Sequence, residues 1–547
     1  MNKSQKNNYS FIVSEGIRFA KDADFDKAEK NFLKAIDIDK DKYEAYINLS
    51  NIYILQNKKD KCIKLLINYL LKNNFNENIA NHAAKLFYNY KFYDSLLSLF
   101  KITKLDTANY FKEKRLLYFI QGNFFEKNED FKKAKSSYLK SINCDKYFFN
   151  SYKKLLNLLE STNDLKKLRT LIDDAFKIFE NKYQIGILNL YKSLLLNREK
   201  KFKDSQNIIS ITNLNIKLKN DKFFYSKLLD LESKNLEKLK NYNEAYKKVE
   251  ERNNFIFNLD ENKKYSGNKI LETMEKYKKF YTKKNIEKIV NNLEYQNDEN
   301  LVFLVGFPRS GTTLLDTILR THSKIKVLEE KPYLIDLRHN FFNNKNNDLV
   351  ELINITQKEK DNIRNDYFKK IIESAEDKKK IIIDKLPLSM IELGFIKCIF
   401  PKSKVILAMR HPCDVIISCF FSSFKINDAM VNFLKWKDPL TFYDKVLDLF
   451  EFYEGQLDLN YFIIKYENVV NDFSAQIKNL INFLGLEYEK KLEEFYITAK
   501  KRTKISTPSY SQVINPLYTS SIDRWKNYSN SKDSLKYLEK WINKFNY

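Results

Sequence analysis

Residues 301–313 read Leu301-Val-Phe-Leu-Val-Gly306-Phe-Pro-Arg309-Ser-Gly311-Thr-Thr313, and they set the architecture of the second half of this 547-residue chain. The apolar run 301–305 predicts a buried strand, and residues 312–320 have helical composition. Two of only nine glycines in the chain stand five positions apart between these elements, where they allow a tight turn. Such a strand–loop–helix unit directs backbone N–H groups toward one point, which suits an anion.

The glycine spacing is that of a phosphate-binding loop, Gly-x4-Gly-Lys-Ser/Thr, but Thr312 occupies the position of the lysine. A nucleoside triphosphatase needs that lysine on its β- and γ-phosphates. We therefore expect the loop to hold a phosphate for a different purpose. The alternative is an ordinary turn between a strand and a helix.

Composition excludes several classes of protein. The five cysteines form no C-x-x-C pair, and the four histidines lack the spacing of metal ligands. The first residues lack the apolar core of a signal peptide, and no stretch approaches about 18 uncharged apolar residues. We expect a cytoplasmic protein with no metal and no membrane span.

The net charge of +25 does not by itself indicate nucleic-acid binding. Only 12 of the 96 basic residues are arginine, and lysine is spread along the whole chain without a dense basic tract. This distribution is typical of a general compositional bias, so we expect no nucleic-acid partner. A weak, salt-dependent attraction for anions is expected.

The chain changes character near residue 300. All eight prolines lie at or after Pro308, and most earlier segments read as amphipathic helices. On a period of about 34 residues, three segments (9–42, 43–76 and 115–148) carry similar residues at corresponding positions. These residues are Gly16, Ala28 and Phe32; Ser50, Cys62 and Leu66; and Gly122, Ala134 and Tyr138. Ala245 indicates a further unit at 226–259.

This pattern resembles the tetratricopeptide repeat (TPR), in which small residues let two antiparallel helices touch. The resemblance implies a helical solenoid over 1–259 whose concave face binds a peptide or a partner protein. A helical connector over 260–296 would follow. The number of repeats stays open, because the units between the clear ones are degenerate. A helix-rich domain without a groove and a platform for homo-oligomerisation are alternatives.

The second half alternates strands with helices. Short apolar runs at 380–384, 403–409 and 461–466 predict buried parallel strands, in addition to 301–305. Helices are expected at 389–400, 412–424, 440–456 and 471–484. Residues 297–547 are therefore predicted to form a three-layer α/β domain, whose ligand site lies at the carboxyl ends of the strands. Arg309, Arg410 and Arg524 fall at such junctions, where a guanidinium suits phosphate or sulfate.

The loop 307–313, the pair Arg410 and Ser418, and the pair Glu329–Glu330 resemble the sulfotransferases that use 3′-phosphoadenosine-5′-phosphosulfate (PAPS). The strongest resemblance is to the tyrosylprotein sulfotransferase branch, and to bacterial proteins that join TPRs to such a domain. It implies that the loop holds the 5′-phosphosulfate and that Arg410 and Ser418 bind the 3′-phosphate. The implied donor-binding residues are Pro308, Arg309, Ser310, Gly311, Thr312, Thr313, Arg410, Ser418 and Tyr466, with Arg524 as a further cation.

The resemblance also implies catalytic roles. Glu330, which stands 21 residues after Arg309, would be the general base. Arg309 would contact the sulfuryl oxygens, and Lys385 would steady the bridging oxygen. His339 is an alternative base, because a histidine serves in the small-molecule branch of the family. A lid over the donor is implied at 504–515, with candidate catalytic hydroxyls Thr503, Ser506 and Thr507; Asn515 replaces a lysine of the eukaryotic members.

Together these features predict a PAPS-dependent sulfotransferase that acts on a hydroxyl, with protein or peptide tyrosine as the first candidate. A saccharide, a lipid or a small phenol is the main alternative acceptor. A nucleotide kinase is a second class of function, although Thr312 argues against it. A non-catalytic TPR scaffold with a relict nucleotide-binding domain is a third. No metal is expected, because a single sulfuryl group carries less charge than a triphosphate.

Overall fold

The computed structural model describes residues 3–72, 75–105, 112–213, 220–291, 298, 300–343, 345, 348–373, 381–501, 517, 519 and 521–547. Its internal contacts divide the chain into two compact units, Met1–Leu195 and Leu196–Tyr547. The domain boundary predicted after residue 259 therefore lies inside the second unit.

The first unit is helical. Its helices are α1 (Lys3–Lys21), α2 (Phe25–Ile38), α3 (Tyr43–Leu55), α4 (Lys59–Lys72), α5 (Glu77–Asn89), α6 (Tyr93–Ile102), α7 (Arg115–Lys127), α8 (Phe131–Cys144), α9 (Phe149–Ser161), α10 (Leu165–Phe176) and α11 (Lys182–Arg198), which crosses into the second unit. Helices that are neighbours in sequence pack against each other, as in α1 with α2 and α7 with α8. This arrangement confirms the predicted TPR-like solenoid.

The small residues of the repeat explain this close packing. A Cβ atom on Gly122 would lie 2.4 Å from Cε1 of Tyr138, and one on Gly16 would lie 2.6 Å from Cε1 of Phe32. In both hairpins the ring of the second helix therefore rests on the bare backbone of the first. Ala28 and Ala134, at the other small position, are fully buried.

The second unit contains a parallel sheet covered by helices. Its strands are β1 (Leu301–Gly306), β2 (Ile325–Glu329), β3 (Ile381–Lys385), β4 (Lys404–Met409) and β5 (Asn460–Lys465), in the spatial order β2-β3-β1-β4-β5. All four pairings are parallel. Its remaining helices are α12 (Phe202–Asn213), α13 (Lys222–Lys238), α14 (Tyr242–Phe257), α15 (Gly267–Phe280), α16 (Lys283–Asn291), α17 (Thr312–Arg320), α18 (Tyr333–Asn343), α19 (Gln357–Glu373), α20 (Leu393–Ile399), α21 (Pro412–Phe420), α22 (Asp438–Gln456), α23 (Tyr466–Asn471), α24 (Phe473–Phe483), α25 (Phe495–Lys501) and α26 (Lys532–Lys544).

Both faces of the sheet are buried. Phe303 of β1 belongs to one hydrophobic cluster, and Val302 and Leu304 belong to another. Because successive side chains of a strand point to opposite faces, the two clusters lie on opposite sides of the sheet. The predicted three-layer architecture is thereby confirmed.

The helix pair α13–α14 explains why the second unit begins before residue 260. Leu236, Tyr246 and Val249 of this pair are buried in the same hydrophobic cluster as Phe303 of β1. The residues that sequence periodicity assigns to a last repeat thus share the core of the α/β unit.

Two helices begin or end differently from the prediction. The segment predicted as 389–400 starts as a 3₁₀ helix, Pro387–Glu392, before α20. The helix predicted as 412–424 ends at Phe420. The carbonyl of Phe420 accepts hydrogen bonds from the side chains of Arg252 and Asn253, which lie at the end of α21. In the described part of the chain, none of the helices combines the length and the apolar character needed to cross a bilayer.

We predict that Gly122→Ala destabilises the first unit by about 1–3 kcal/mol, because the new methyl group would overlap Tyr138. Urea titration of the purified chain measures the change. Gly455→Ala in α22 is the control, since a Cβ there meets nothing within 4 Å. It should stabilise the second unit by roughly 0.5–1 kcal/mol. Equal effects of the two variants would contradict the packing described here.

Candidate functional site

The turn after β1 has room only for glycine at its two ends. A Cβ on Gly306 would lie 2.5 Å from the carbonyl oxygen of Ala408 in β4. Gly311 has φ +97° and caps α17 without a side-chain hydrogen bond. Gly311 thus has no side chain to cap α17, and the N-terminus of this helix suits an anion.

Arg309 and Glu330 share an unusual backbone conformation. Arg309 has φ +72° and Glu330 has φ +49°, both in the left-handed region. Residues other than glycine rarely adopt this region, and such strain is concentrated at functional sites. The two residues follow β1 and β2, respectively, at the carboxyl edge of the sheet.

A cavity of about 490 Å³ opens at this edge. Most of the predicted site residues line it, namely Pro308, Arg309, Gly311, Thr312, Thr313, Glu330, Arg410 and Tyr466. Ser310 is buried in the turn, and its amide donates to the carbonyl of Phe307. The structure therefore brings the loop, the strand-end arginine and the glutamate together at one cavity, while their roles stay predictions.

Arg309 contacts the helix that carries Ser418. Its Nε donates to Ser418 Oγ at 3.0 Å, and its carbonyl accepts from Arg410 Nη1 at 3.3 Å. The resemblance assigns Arg309 to one end of the donor and Ser418 to the other, whereas here the two side chains are bonded to each other. The loop and α21 are thus joined directly.

Arg410 is buried but retains an unused donor. Its Nη2 donates to the carbonyl of Ser521 and lies 3.7 Å from Asp414 Oδ2. Its guanidinium lies 5.1 Å from the centre of the Tyr466 ring. Its Nε is buried and has no hydrogen-bond partner among the described residues. An unpaired buried donor at a cavity wall is costly unless a ligand accepts from it.

The start of α21 is fixed by several contacts. Asp414 accepts the amide of Asp523 at 2.9 Å and the amide of Trp525 at 3.0 Å. The ring of His411 stacks on Trp525 with the centroids 5.4 Å apart, and burial lowers the pKa of His411. These contacts hold residues 521–525 beside Arg410.

Lys385 lies behind Glu330 and does not line the cavity. Its side chain is fully buried, and its Nζ lies 2.8 Å from Glu330 Oε1. The same ammonium is 3.8 Å from Glu329 Oε1 and 3.9 Å from Asp316 Oδ2. Lys385 therefore orients the Glu330 carboxylate; its predicted contact with a bridging oxygen stays a prediction.

The opposite wall of the cavity is mostly apolar. Its apolar residues include Ile270, Ile335, Leu388, Ile391, Phe424 and Met430. His339 lies on this wall, and burial lowers its pKa. Glu330 therefore shares one cavity with cationic, hydrogen-bonding residues and with a group of apolar residues.

A buried polar cluster on the apolar wall was not predicted. Arg338 donates to Tyr277 Oη at 2.7 Å and lies 3.4 Å from Glu392, and burial raises the pKa of Glu392. The scarcity of arginine was the one available signal for Arg338. Its partners come from distant segments, so spacing could not have revealed them.

Arg524 lies outside the cavity lining. Its Nε donates to Glu237 of α13, and its guanidinium lies 4.7 Å from the ring centre of Phe421. The described residues thus give no support to Arg524 as a donor ligand. The predicted lid 504–515, with Thr503, Ser506, Thr507 and Asn515, lies outside the described residues.

We predict a pH dependence of stability from Asp384. Burial raises the pKa of this carboxyl to about 6, although the hydroxyl of Tyr367 donates to it at 2.6 Å. Between pH 4 and 6 the folded chain therefore binds more protons than the unfolded chain, and this contribution to stability falls as pH rises. The loss is about 3 kcal/mol and is complete above the folded pKa.

Asp384→Asn keeps an acceptor for Tyr367 and removes the titration. Urea titrations of both proteins at pH 4 and pH 7 measure the effect. The variant should gain stability relative to the wild type as pH rises across this window. A constant difference between the two proteins would contradict the raised pKa.

Comparisons with known proteins find similarity within the second unit. Residues 302–490 match the model of the sulfotransferase family. An uncharacterized protein of Aquifex aeolicus is 26% identical over 42% of this chain and 30% of its own length. A putative protein-tyrosine sulfotransferase of Caenorhabditis briggsae is 27% identical over 44% of this chain and 86% of its own length.

Among solved structures, the sulfotransferase domain of the Synechococcus PCC 7002 olefin synthase is similar at 20% identity. It matches 44% of this chain and 94% of its own length, with a TM-score of 0.31. The chain thus spans less than a third of the Aquifex relative and most of the Caenorhabditis relative. Residues 302–490 are thus similar to the sulfotransferase family, as the loop and strand-end residues had indicated.

Proposed function

We propose that this protein transfers the sulfuryl group of PAPS to a hydroxyl acceptor, with protein or peptide tyrosine as the first candidate. The observation that carries the proposal is a single cavity that joins the turn at Gly311, the Glu330 carboxylate and Arg410, whose Nε has no partner in the described part of the chain. The family match of residues 302–490 supports the same reaction class.

The donor half of the cavity fits an adenosine carrier with anions at both ends. The first turn of α17, whose N-cap is glycine, and the hydroxyls of Thr312 and Thr313 would hold the 5′-phosphosulfate. Arg410 Nε needs an acceptor, and a 3′-phosphate oxygen would satisfy it. Arg309 lies between the two ends, bonded to Ser418. When bound, PAPS would supply the sulfuryl group.

Glu330 is the residue that would receive the acceptor's proton. Its carboxylate lines the cavity, and Lys385 holds one of its oxygens at 2.8 Å. A phenol has an unperturbed pKa of about 10, so a positioned carboxylate that takes the proton during attack lowers the barrier. Glu329 and Asp316 lie 3.8 Å and 3.9 Å from the same ammonium, and Asp316 is also paired with Arg320 at 2.7 Å.

The apolar half of the cavity supports an acceptor whose hydroxyl sits on a hydrophobic or aromatic body. Leu388, Ile391 and Met430 offer apolar contacts to such a body. The tyrosine acceptor named for the Caenorhabditis relative agrees with this wall. A TPR-like unit that binds the acceptor protein or another partner is part of the same proposal.

A nucleotide kinase and a relict scaffold are the rival functions. Thr312 in place of the loop lysine argues against the kinase. A relict domain would have no reason to keep a buried Arg410 with an unsatisfied donor, because such a group lowers stability unless a ligand binds it.

Calorimetry with adenosine-3′,5′-bisphosphate (PAP) and with ATP tests the donor assignment. We expect the wild type to bind PAP more tightly than ATP. Arg410→Ala should weaken PAP binding by about 1–3 kcal/mol, on the order of 10–100-fold, because a charged hydrogen bond is lost. Tight binding of ATP without a response to PAP would exclude the proposed reaction.

Glu330→Gln tests the base. Turnover with radiolabelled PAPS and a tyrosine peptide should fall on the order of 10²–10⁴-fold, while PAP affinity stays nearly constant. Glu329→Gln is the matched control, because its carboxyl is 3.8 Å from Lys385 and does not line the cavity. Unchanged turnover in Glu330→Gln would show that Glu330 is not the base, and His339 would then be the next candidate.

A further inference from the structure

We infer that the helix pair α13–α14 positions the 3′-phosphate clamp of the α/β unit by holding both ends of α21. The clamp consists of Arg410, just before this helix, and Ser418, in its last turn. The inference rests on the proposed function, because it takes these two residues to bind the 3′-phosphate. It assigns residues of the last repeat, Arg252, Asn253 and Glu237, a role in donor binding although none of them lines the cavity.

The C-terminal end of α21 is held by α14. Arg252 Nη2 and Asn253 Nδ2 both donate to the carbonyl of Phe420 at 3.1 Å. Arg252 Nη1 donates to the carbonyl of Phe421, also at 3.1 Å. The last carbonyls of a helix lack partners within it, so these side chains complete α21 and place a cation at the negative end of its dipole.

Arg252 is itself fixed from several sides. Its side chain is fully buried, and Nη1 lies 2.6 Å from Asp230 Oδ1 of α13. Asn253 Oδ1 accepts from Arg252 Nε at 3.1 Å and from Nη2 at 2.9 Å. A buried guanidinium is tolerated only when such partners use its donors. The cluster therefore has one geometry, in which α13, α14 and the end of α21 are locked together.

The N-terminal end of α21 is held by α13 through a second route. Glu237 accepts from Arg524 Nε, and from Tyr528 Oη at 2.8 Å. The segment that carries Arg524 also gives its amides to Asp414 of α21 and its Ser521 carbonyl to Arg410. Glu237 is thus connected to the guanidinium of Arg410 by two hydrogen bonds and the backbone of residues 521–524 between them.

Aromatic side chains also pack against the C-terminal end of α21. Tyr246 of α14 stacks on Phe420 with the ring centroids 5.3 Å apart, and it meets Trp436 edge-on at 5.7 Å. Because Ser418 lies two residues before Phe420, a shift of the helix end would also move the hydroxyl that contacts Arg309. Recognition of a phosphate by fixed donors is sensitive to small shifts of those donors.

The test compares the affinities of PAP and adenosine 5′-monophosphate (AMP), which lacks the 3′-phosphate, by calorimetry on the full chain. Asn253→Asp keeps the acceptor for Arg252 and puts a carboxylate oxygen against the Phe420 carbonyl. We expect the PAP-to-AMP affinity ratio to fall about tenfold or more, since only the 3′-phosphate contacts are weakened. Asn254→Asp is the matched control, because this neighbour on α14 is exposed, and its ratio should be unchanged.

Glu237→Gln tests the second contact with little change of shape, and it should also lower the ratio. A general loss of folding would weaken PAP and AMP together, so equal weakening in both variants would overturn the inference. Wild-type ratios in both variants would also overturn it while leaving the proposed function intact. If the wild-type chain does not bind PAP, the proposed function fails and the inference fails with it.

Discussion

The carboxyl end of the central strand β1 has no space for a side chain, and the rest of the site follows from that constraint. β1 pairs with β4 up to its last residue, where the backbone of Gly306 lies against the carbonyl of Ala408. The chain must then turn within five residues, through left-handed conformations at Arg309 and Gly311, to start α17. This turn brings the arginine side chain to α21 and places a glycine, which has no side chain to cap the helix, before α17. The proposed anion binding would thus be a consequence of how the strand ends.

The charged side chains at the site form two groups. Arg309 and Arg410 lie beside α21. Their side chains donate to Ser418 and to backbone carbonyls, and Arg410 Nε has no partner among the described residues. The carboxyl groups of Asp316, Glu329 and Glu330 lie within 4 Å of the Lys385 ammonium, near the ends of β2 and β3. A low-dielectric environment strengthens both groupings. An anionic donor and a carboxylate base can therefore occupy one cavity without meeting directly.

Much of this could be predicted from the sequence, because local patterns determine it. The strand, the Gly-x4-Gly turn and the position of Glu330 relative to Arg309 depend on residues close together in the chain. The hydrogen bond from Arg309 to Ser418 and the cluster of Arg338, Tyr277 and Glu392 join distant segments, so no spacing encodes them. The role of Arg524 could not be derived from the sequence for a physical reason: a guanidinium suits phosphate and carboxylate equally, and in the structure Glu237 accepts from it.

The boundary after residue 259 was the least predictable feature, since periodicity reports the shape of a helix pair and not what it packs against. In α13–α14 the repeat pattern is retained, yet Tyr246 and Val249 are buried in the core of the α/β unit. A domain that began at residue 297 would expose that core and leave the carbonyls of Phe420 and Phe421 without Arg252. Unpaired buried carbonyls and a lost apolar contact would both raise the free energy of such a folded domain. The last repeat is therefore part of the core of the second unit, and its helix pair contacts the end of α21.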